Sequence, residues 1–161
     1  MATIATLATE LGATLKARGF ILALAESCTG GMAAQVITSV AGSSAWFDRG
    51  FVTYSNQAKI DMLGVSNQTL IKFGAVSEQT AAEMAQGALK FSLAQISASI
   101  TGIAGPDGGT TDKPVGTVCF GFSLKNSVIT STQHFVGKRE SVRQQASIYA
   151  ITQMIELLHI P

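Results

Sequence analysis

The stretch from residue 20 to residue 37 constrains this chain more than any other. An apolar run, Phe20-Ile21-Leu22-Ala23-Leu24, leads into Ala25-Glu26-Ser27-Cys28-Thr29-Gly30-Gly31 and then into Met32-Ala33-Ala34-Gln35-Val36-Ile37. The first segment reads as a buried strand and the last as the start of a helix. A strand that passes through a polar, glycine-containing turn into a helix is the unit from which α/β sheets are wound. Ligand sites gather outside the carboxyl ends of such strands. The open N–H groups of a helix start favour a phosphate or a developing oxyanion, and Gly30 and Gly31 let the backbone come close to a ligand. The turn marks a small-molecule site with Ser27 as its candidate nucleophile.

The rest of the chain repeats this alternation. Ile4, Leu7, Ala8, Leu11 and Leu15 fall at helical spacing, with Gly19 as the stop. Strands are expected at 20–25, 49–55 and 96–101. Helices are expected up to about Val40, at 56–63 before Gly64, as a turn at 70–73 before Gly74, and after a Ser77 cap with Glu78 in the first turn. Residues 115–123 and 127–136 alternate as two strands joined by a short hairpin, and a last helix covers about 140–158. Helices interleaved with strands, then a hairpin and a closing helix, predict a three-layer α/β/α sandwich on a mixed, mostly parallel sheet. At 161 residues, one domain over 1–161 is expected, long enough to bury a core without disulfides or metals.

Composition narrows the function classes. A 47% hydrophobic and 13% charged chain argues against disorder and predicts an apolar self-association surface, at least a dimer. A net charge of +1 gives no field for nucleic acid. The two cysteines, Cys28 and Cys119, form no Cys-x-x-Cys pair, and no His/Asp/Glu cluster has metal-ligand spacing. No metal and no cofactor are expected. The N-terminus lacks a basic, continuously apolar leader, and no apolar run is long enough to span a bilayer. The expectation is a soluble, cytoplasmic protein with no membrane partner.

Three loops hold more polar and glycine residues than connection requires: Glu26 to Gly31, the segment Tyr54-Ser55-Asn56 with Lys59, and Thr101-Gly102-Ile103-Ala104-Gly105-Pro106-Asp107-Gly108-Gly109-Thr110. If the strands before them are parallel neighbours, the loops share one edge of the sheet and one cleft. Ser27 is either a helix N-cap or a nucleophile that needs a base. His134 alternates with apolar neighbours on a strand and His159 lies at the C-terminus, which disfavours a Ser–His–Asp triad. Lys59, if desolvated, has a lowered pKa and can take a proton; Tyr54 beside it could relay one. The plain alternatives are a surface lysine and a core tyrosine. Cys28 is the rival nucleophile, with thiolate character from the helix start, or else a small buried residue. Asp107 and Asp112, which flank the third loop, are either ligands for a metal or a ribose or ordinary turn residues. Arg139 and Arg143, at the start of the last helix, suit bidentate phosphate binding or a solvated face.

Together these motifs resemble the CinA C-terminal domain family. The resemblance rests on residues 25–31, Tyr54-Ser55-Asn56 with Lys59, Leu63-Gly64-Val65, Gly74-Ala75-Val76-Ser77-Glu78, the 101–109 loop and Lys113-Pro114-Val115-Gly116-Thr117-Val118. It runs the length of the chain in order, and a stand-alone copy without the family's longer N-terminal domain is expected. The resemblance implies hydrolysis of the carboxamide of nicotinamide mononucleotide to nicotinate mononucleotide and ammonia, in bacterial pyridine-nucleotide salvage. It implies Ser27, Tyr54 and Lys59 as the catalytic set. The loops then supply the substrate contacts: Glu26, Thr29, Gly30, Gly31, Asn56, Thr101, Gly102, Gly105, Gly108 and Gly109, with Arg139 and Arg143. The alternative is a non-catalytic nucleotide-binding or regulatory module.

Overall fold

A computed structural model describes residues 3–161. Thr3 opens α1 (Ile4–Arg18) with a reciprocal capping box to Thr6, and Gly19 closes it in the left-handed conformation, φ 67°. The Phe20 N–H still returns to the Leu15 carbonyl, so β1 begins at Leu22 and runs to Glu26. The other strands are β2 (Phe47–Val52), β3 (Ile96–Gly102), β4 (Thr117–Leu124) and β5 (Ser127–His134). They form one sheet in the order β2-β1-β3-β4-β5. β1 pairs in parallel with β2 and with β3, while β4 runs against both β3 and β5. All strands but β4 therefore point the same way.

The faces of the sheet follow the two-residue period of its strands. Leu22 and Leu24 of β1 enter the larger core and Ala23 and Ala25 the smaller one. Ile96, Ala98 and Ile100 of β3 join the larger core, which lies under α1, α2 (Met32–Thr38) and α6 (Arg139–Leu158). On the other face pack α3 (Asn56–Leu63), α4 (Asn67–Phe73) and α5 (Glu78–Lys90). This is the α/β/α sandwich expected from the alternation. Small residues bring α5 close to the sheet. Ser97 and Ser99 donate to the Ala85 and Ala81 carbonyls at 2.6 and 2.5 Å. A Cβ on Gly121 would come within 2.3 Å of the Ala81 oxygen.

Several element ends differ from the expectation for local reasons. β2 stops at Val52, not residue 55: its last bond to β1 is the Thr53 N–H to the Glu26 carbonyl, after which Ser55 turns to cap α3. The expected turn at 70–73 is the end of a longer helix that Ser66 caps. β4 starts at Thr117 because the Gly116 N–H is spent on the Ile103 carbonyl within the loop. No helix among the described residues is long and apolar enough to cross a membrane.

Candidate active site

Because β2, β1 and β3 are parallel neighbours, their carboxyl ends share one edge, as the expected cleft requires. A cavity of about 330 Å³ opens there, lined by residues of all three loops, among them Ser27, Tyr54, Asn56, Lys59, Thr101 and Asp107, and by Arg139 of α6. That is the lower end of the size range for small-molecule sites.

Lys59 is the most informative group. Ser55 accepts from the Ala58 N–H and sets the first turn of α3, which aims the Lys59 side chain back beneath the end of β2. Only 1% of Lys59 is exposed. Its Nζ donates to Ser27 Oγ at 2.9 Å and to the Thr53 carbonyl at 3.0 Å. Among the described residues the single ion pair joins Arg49 to Asp48, so no carboxylate compensates this ammonium. Burial pushes the Lys59 pKa below its ordinary 10.5. The result is an amine that gives up its proton more readily than a free lysine, in contact with a hydroxyl: the arrangement that activates a serine.

Ser27 is not a helix cap. The cap position of α2 is Gly31, at φ 104°, while Ser27 gives its N–H to the Ile100 carbonyl and its Oγ faces Lys59. The helix start is filled by the chain itself. Glu26, also buried, accepts from the Ala33 N–H at Oε1 and the Ala34 N–H at Oε2, each at 3.0 Å. The expectation that these N–H groups await a phosphate or an oxyanion is therefore corrected: a carboxylate seven and eight residues back already satisfies them. Glu26 is a clamp on α2 and is absent from the cavity wall. Its carbonyl also accepts the Thr53 N–H at 2.8 Å, which ties the clamp to the strand end that holds Lys59.

The expected thiolate character of Cys28 is likewise overturned. Burial pushes its thiol up to about 12, and the Glu26 charge adds to the rise. A neutral, buried sulfur is a poor nucleophile at neutral pH.

Tyr54 is neither a core residue nor hydrogen-bonded to the Ser27–Lys59 pair. It is 62% exposed at the cavity rim, and its Oη accepts from Arg139 Nη2 at 3.1 Å. Among the described residues its hydroxyl makes no hydrogen bond to Ser27 or Lys59. Arg139 also donates from Nη1 to the Gly105 carbonyl at 2.8 Å. Arg143 differs. Its Nε and Nη2 donate to the Cys28 and Thr29 carbonyls at 3.1 and 2.9 Å, so it struts the Ser27 loop against α6 from outside the cavity. Thr29 is fully buried, its Oγ1 unpartnered among the described residues, and nothing in the structure explains that.

Asn56 and the 101–109 loop do line the cavity. Thr101 Oγ1 donates to the Ala75 carbonyl at 2.8 Å, anchoring the loop root. Part of the glycine content serves the loop itself. A Cβ on Gly105 would meet Val115 Cγ1 at 2.4 Å, and one on Gly109 would meet the Val115 nitrogen at 2.8 Å, both at positive φ. Gly102 packs on Val118 in the same way, whereas Gly30, Gly31 and Gly108 have room around them. His134 bonds Thr117 on the β4–β5 pair, away from the cleft. Among the described residues no group of three or more His, Cys, Asp or Glu is placed to hold a metal ion. The sequence reading missed the Thr53 carbonyl as the Lys59 anchor and Glu26 as the helix clamp.

Residues 4–158 match the family model described as the CinA C-terminal domain. The chain is 58% identical over 146 residues to the nicotinamide-nucleotide amidohydrolase PncC of Enterobacter agglomerans, covering 90% of this chain and 89% of that protein. It is 56% identical over 146 residues to the protein of the same name from Escherichia coli K12, covering 90% and 88%. Among solved structures it superposes on the competence/damage inducible protein CihA of Agrobacterium tumefaciens with a TM-score of 0.93 at 44% identity, covering 98% of this chain and 99% of that one.

Proposed function

The chain belongs to the CinA C-terminal domain family, and on that premise we propose that it is a nicotinamide-nucleotide amidohydrolase, acting as a single domain in the cytoplasm and as at least a dimer. The substrate is the carboxamide of nicotinamide mononucleotide; the products are nicotinate mononucleotide and ammonia. The observation that carries the reading is the buried Lys59 amine, without a carboxylate partner, 2.9 Å from Ser27 Oγ.

Neutral Lys59 takes the Ser27 hydroxyl proton as Oγ bonds to the carboxamide carbon. The proton then passes from Lys59 to the amide nitrogen, the C–N bond breaks and ammonia leaves. An ester of nicotinate mononucleotide remains on Ser27, its ribose phosphate intact. Water attacks that ester, Lys59 accepts the water proton and returns it to Oγ, and the acid is released. The Thr53 carbonyl keeps the amine aimed at Oγ throughout.

Support comes from the two relatives whose names carry this activity and which match the chain over nearly their whole length. The test is to incubate purified protein with nicotinamide mononucleotide in the presence of a chelator. Ammonia and nicotinate mononucleotide should appear in equal amounts. Nucleotide binding with no ammonia supports the non-catalytic module instead.

A further inference from the structure

We infer that Tyr54 serves nucleotide binding rather than proton transfer: it positions Arg139 at the cavity rim as the group that receives the substrate's phosphate. The inference takes the nucleotide and the placing of its carboxamide at Ser27 from the function proposed above, but it does not require that the amide bond be cleaved.

A nucleotide that places its carboxamide at the buried Ser27 must leave its phosphate at the open end of the cavity, because a desolvated phosphate is costly. Arg139 and Arg143 are the two arginines near this cleft. Arg143 has spent Nε and Nη2 on the carbonyls of Cys28 and Thr29 and does not line the cavity. Arg139 lines it, and holds the Gly105 carbonyl and Tyr54 Oη through one hydrogen on each Nη. A guanidinium has five donor hydrogens, so three remain for a phosphate in the fork geometry that arginine favours. Tyr54 accepts from Arg139 while its ring stands largely in water. That hydroxyl fixes the fork across the gap between the β2–α3 loop and α6. Asp107 is the acidic residue on the same wall. It is exposed and, among the described residues, forms no ion pair with Arg139.

The test compares nicotinamide mononucleotide with nicotinamide riboside, which lacks the phosphate, for wild type, Tyr54→Phe and Arg139→Gln. Ammonia release gives kcat and KM. Calorimetry on the Ser27→Ala background gives binding of both ligands without turnover. Arg139→Gln should raise KM for the nucleotide about 10- to 100-fold, as loss of a charged hydrogen bond does, and Tyr54→Phe about 2- to 10-fold. The riboside constants should stay put, and the Tyr54→Phe pH–kcat profile should overlay that of wild type. A fall in kcat of about 10²-fold or more in Tyr54→Phe, with KM unchanged, identifies a proton relay and overturns the inference. So does an Arg139→Gln effect equal for nucleotide and riboside. If wild type releases no ammonia yet phosphate-dependent binding is lost in Arg139→Gln, the amidohydrolase reading falls and this inference stands.

Discussion

Lys59→Met separates catalysis from stability. Methionine keeps most of the length and apolar volume of the lysine stem and removes the amine. Two acceptors lose their donor, Ser27 Oγ and the Thr53 carbonyl, at about 1–3 kcal/mol for a buried group left unsatisfied. Against this, the variant no longer buries an ammonium without a counter-charge, a penalty of several kcal/mol in its charged form. The two terms oppose each other, so the variant should fold with stability near or above that of wild type at pH 7. Turnover should fall about 10²–10⁴-fold, the usual worth of a positioned base, with a smaller effect on nucleotide binding. The pH dependence supplies an independent readout. Between the depressed Lys59 pKa and 10.5, the unfolded chain holds a proton that the folded chain has shed. Stability of wild type therefore climbs with pH across that window, and the full penalty applies below it. Lys59→Met should lack the climb. Ammonia release at saturating nucleotide and urea titrations from pH 7 to pH 10 measure both effects. Near-normal turnover, or parallel stability curves for the two proteins, would refute the assigned role.

Ser27→Ala should abolish nearly all turnover while calorimetry still finds nucleotide binding. Cys28→Ala should keep substantial activity, since its neutral thiol does not attack; the reverse pattern identifies Cys28 as the nucleophile. Glu26→Gln turns an amide hydrogen toward one of two backbone N–H groups and should cost about 1–3 kcal/mol in urea unfolding; an unchanged midpoint contradicts the clamp. Light scattering at micromolar concentration should report at least a dimer, given the outward side chains of Ile71, Leu93, Ile129 and Val136; a monomer counts against it.

Much of the fold was legible because its punctuation is local. Gly19 and Gly64 end helices in the left-handed conformation, and Ser77 caps α5 through its own hydroxyl. Each of these interactions spans only a few residues and leaves a mark in sequence. The grouping of the three loops was legible conditionally, since it followed once β1, β2 and β3 proved to be parallel neighbours. What stayed hidden depends on register between distant segments. Glu26 lies opposite Val52 on β2, which puts its carbonyl under the Thr53 N–H. The carboxylate side chain meanwhile reaches forward to α2. No spacing rule distinguishes that carboxylate from a ligand contact. Tyr54 is grouped with Lys59 by the resemblance, on a strand expected to run to residue 55. The earlier end of β2 puts it at the rim instead, beside an arginine from a helix 85 residues away. Ser97 and Ser99 read as polar strand residues until α5 supplies the carbonyls that they bond.

Hydroxylamine partitioning tests the Ser27–Lys59 mechanism most directly. A nicotinate mononucleotide ester on Ser27 can be attacked by hydroxylamine as well as by water. Added hydroxylamine should therefore divert product from nicotinate mononucleotide to the corresponding hydroxamate, while ammonia release continues, and both should vanish in Ser27→Ala. Ammonia release that yields only the acid at every hydroxylamine concentration, or that survives in Ser27→Ala, contradicts a covalent serine mechanism.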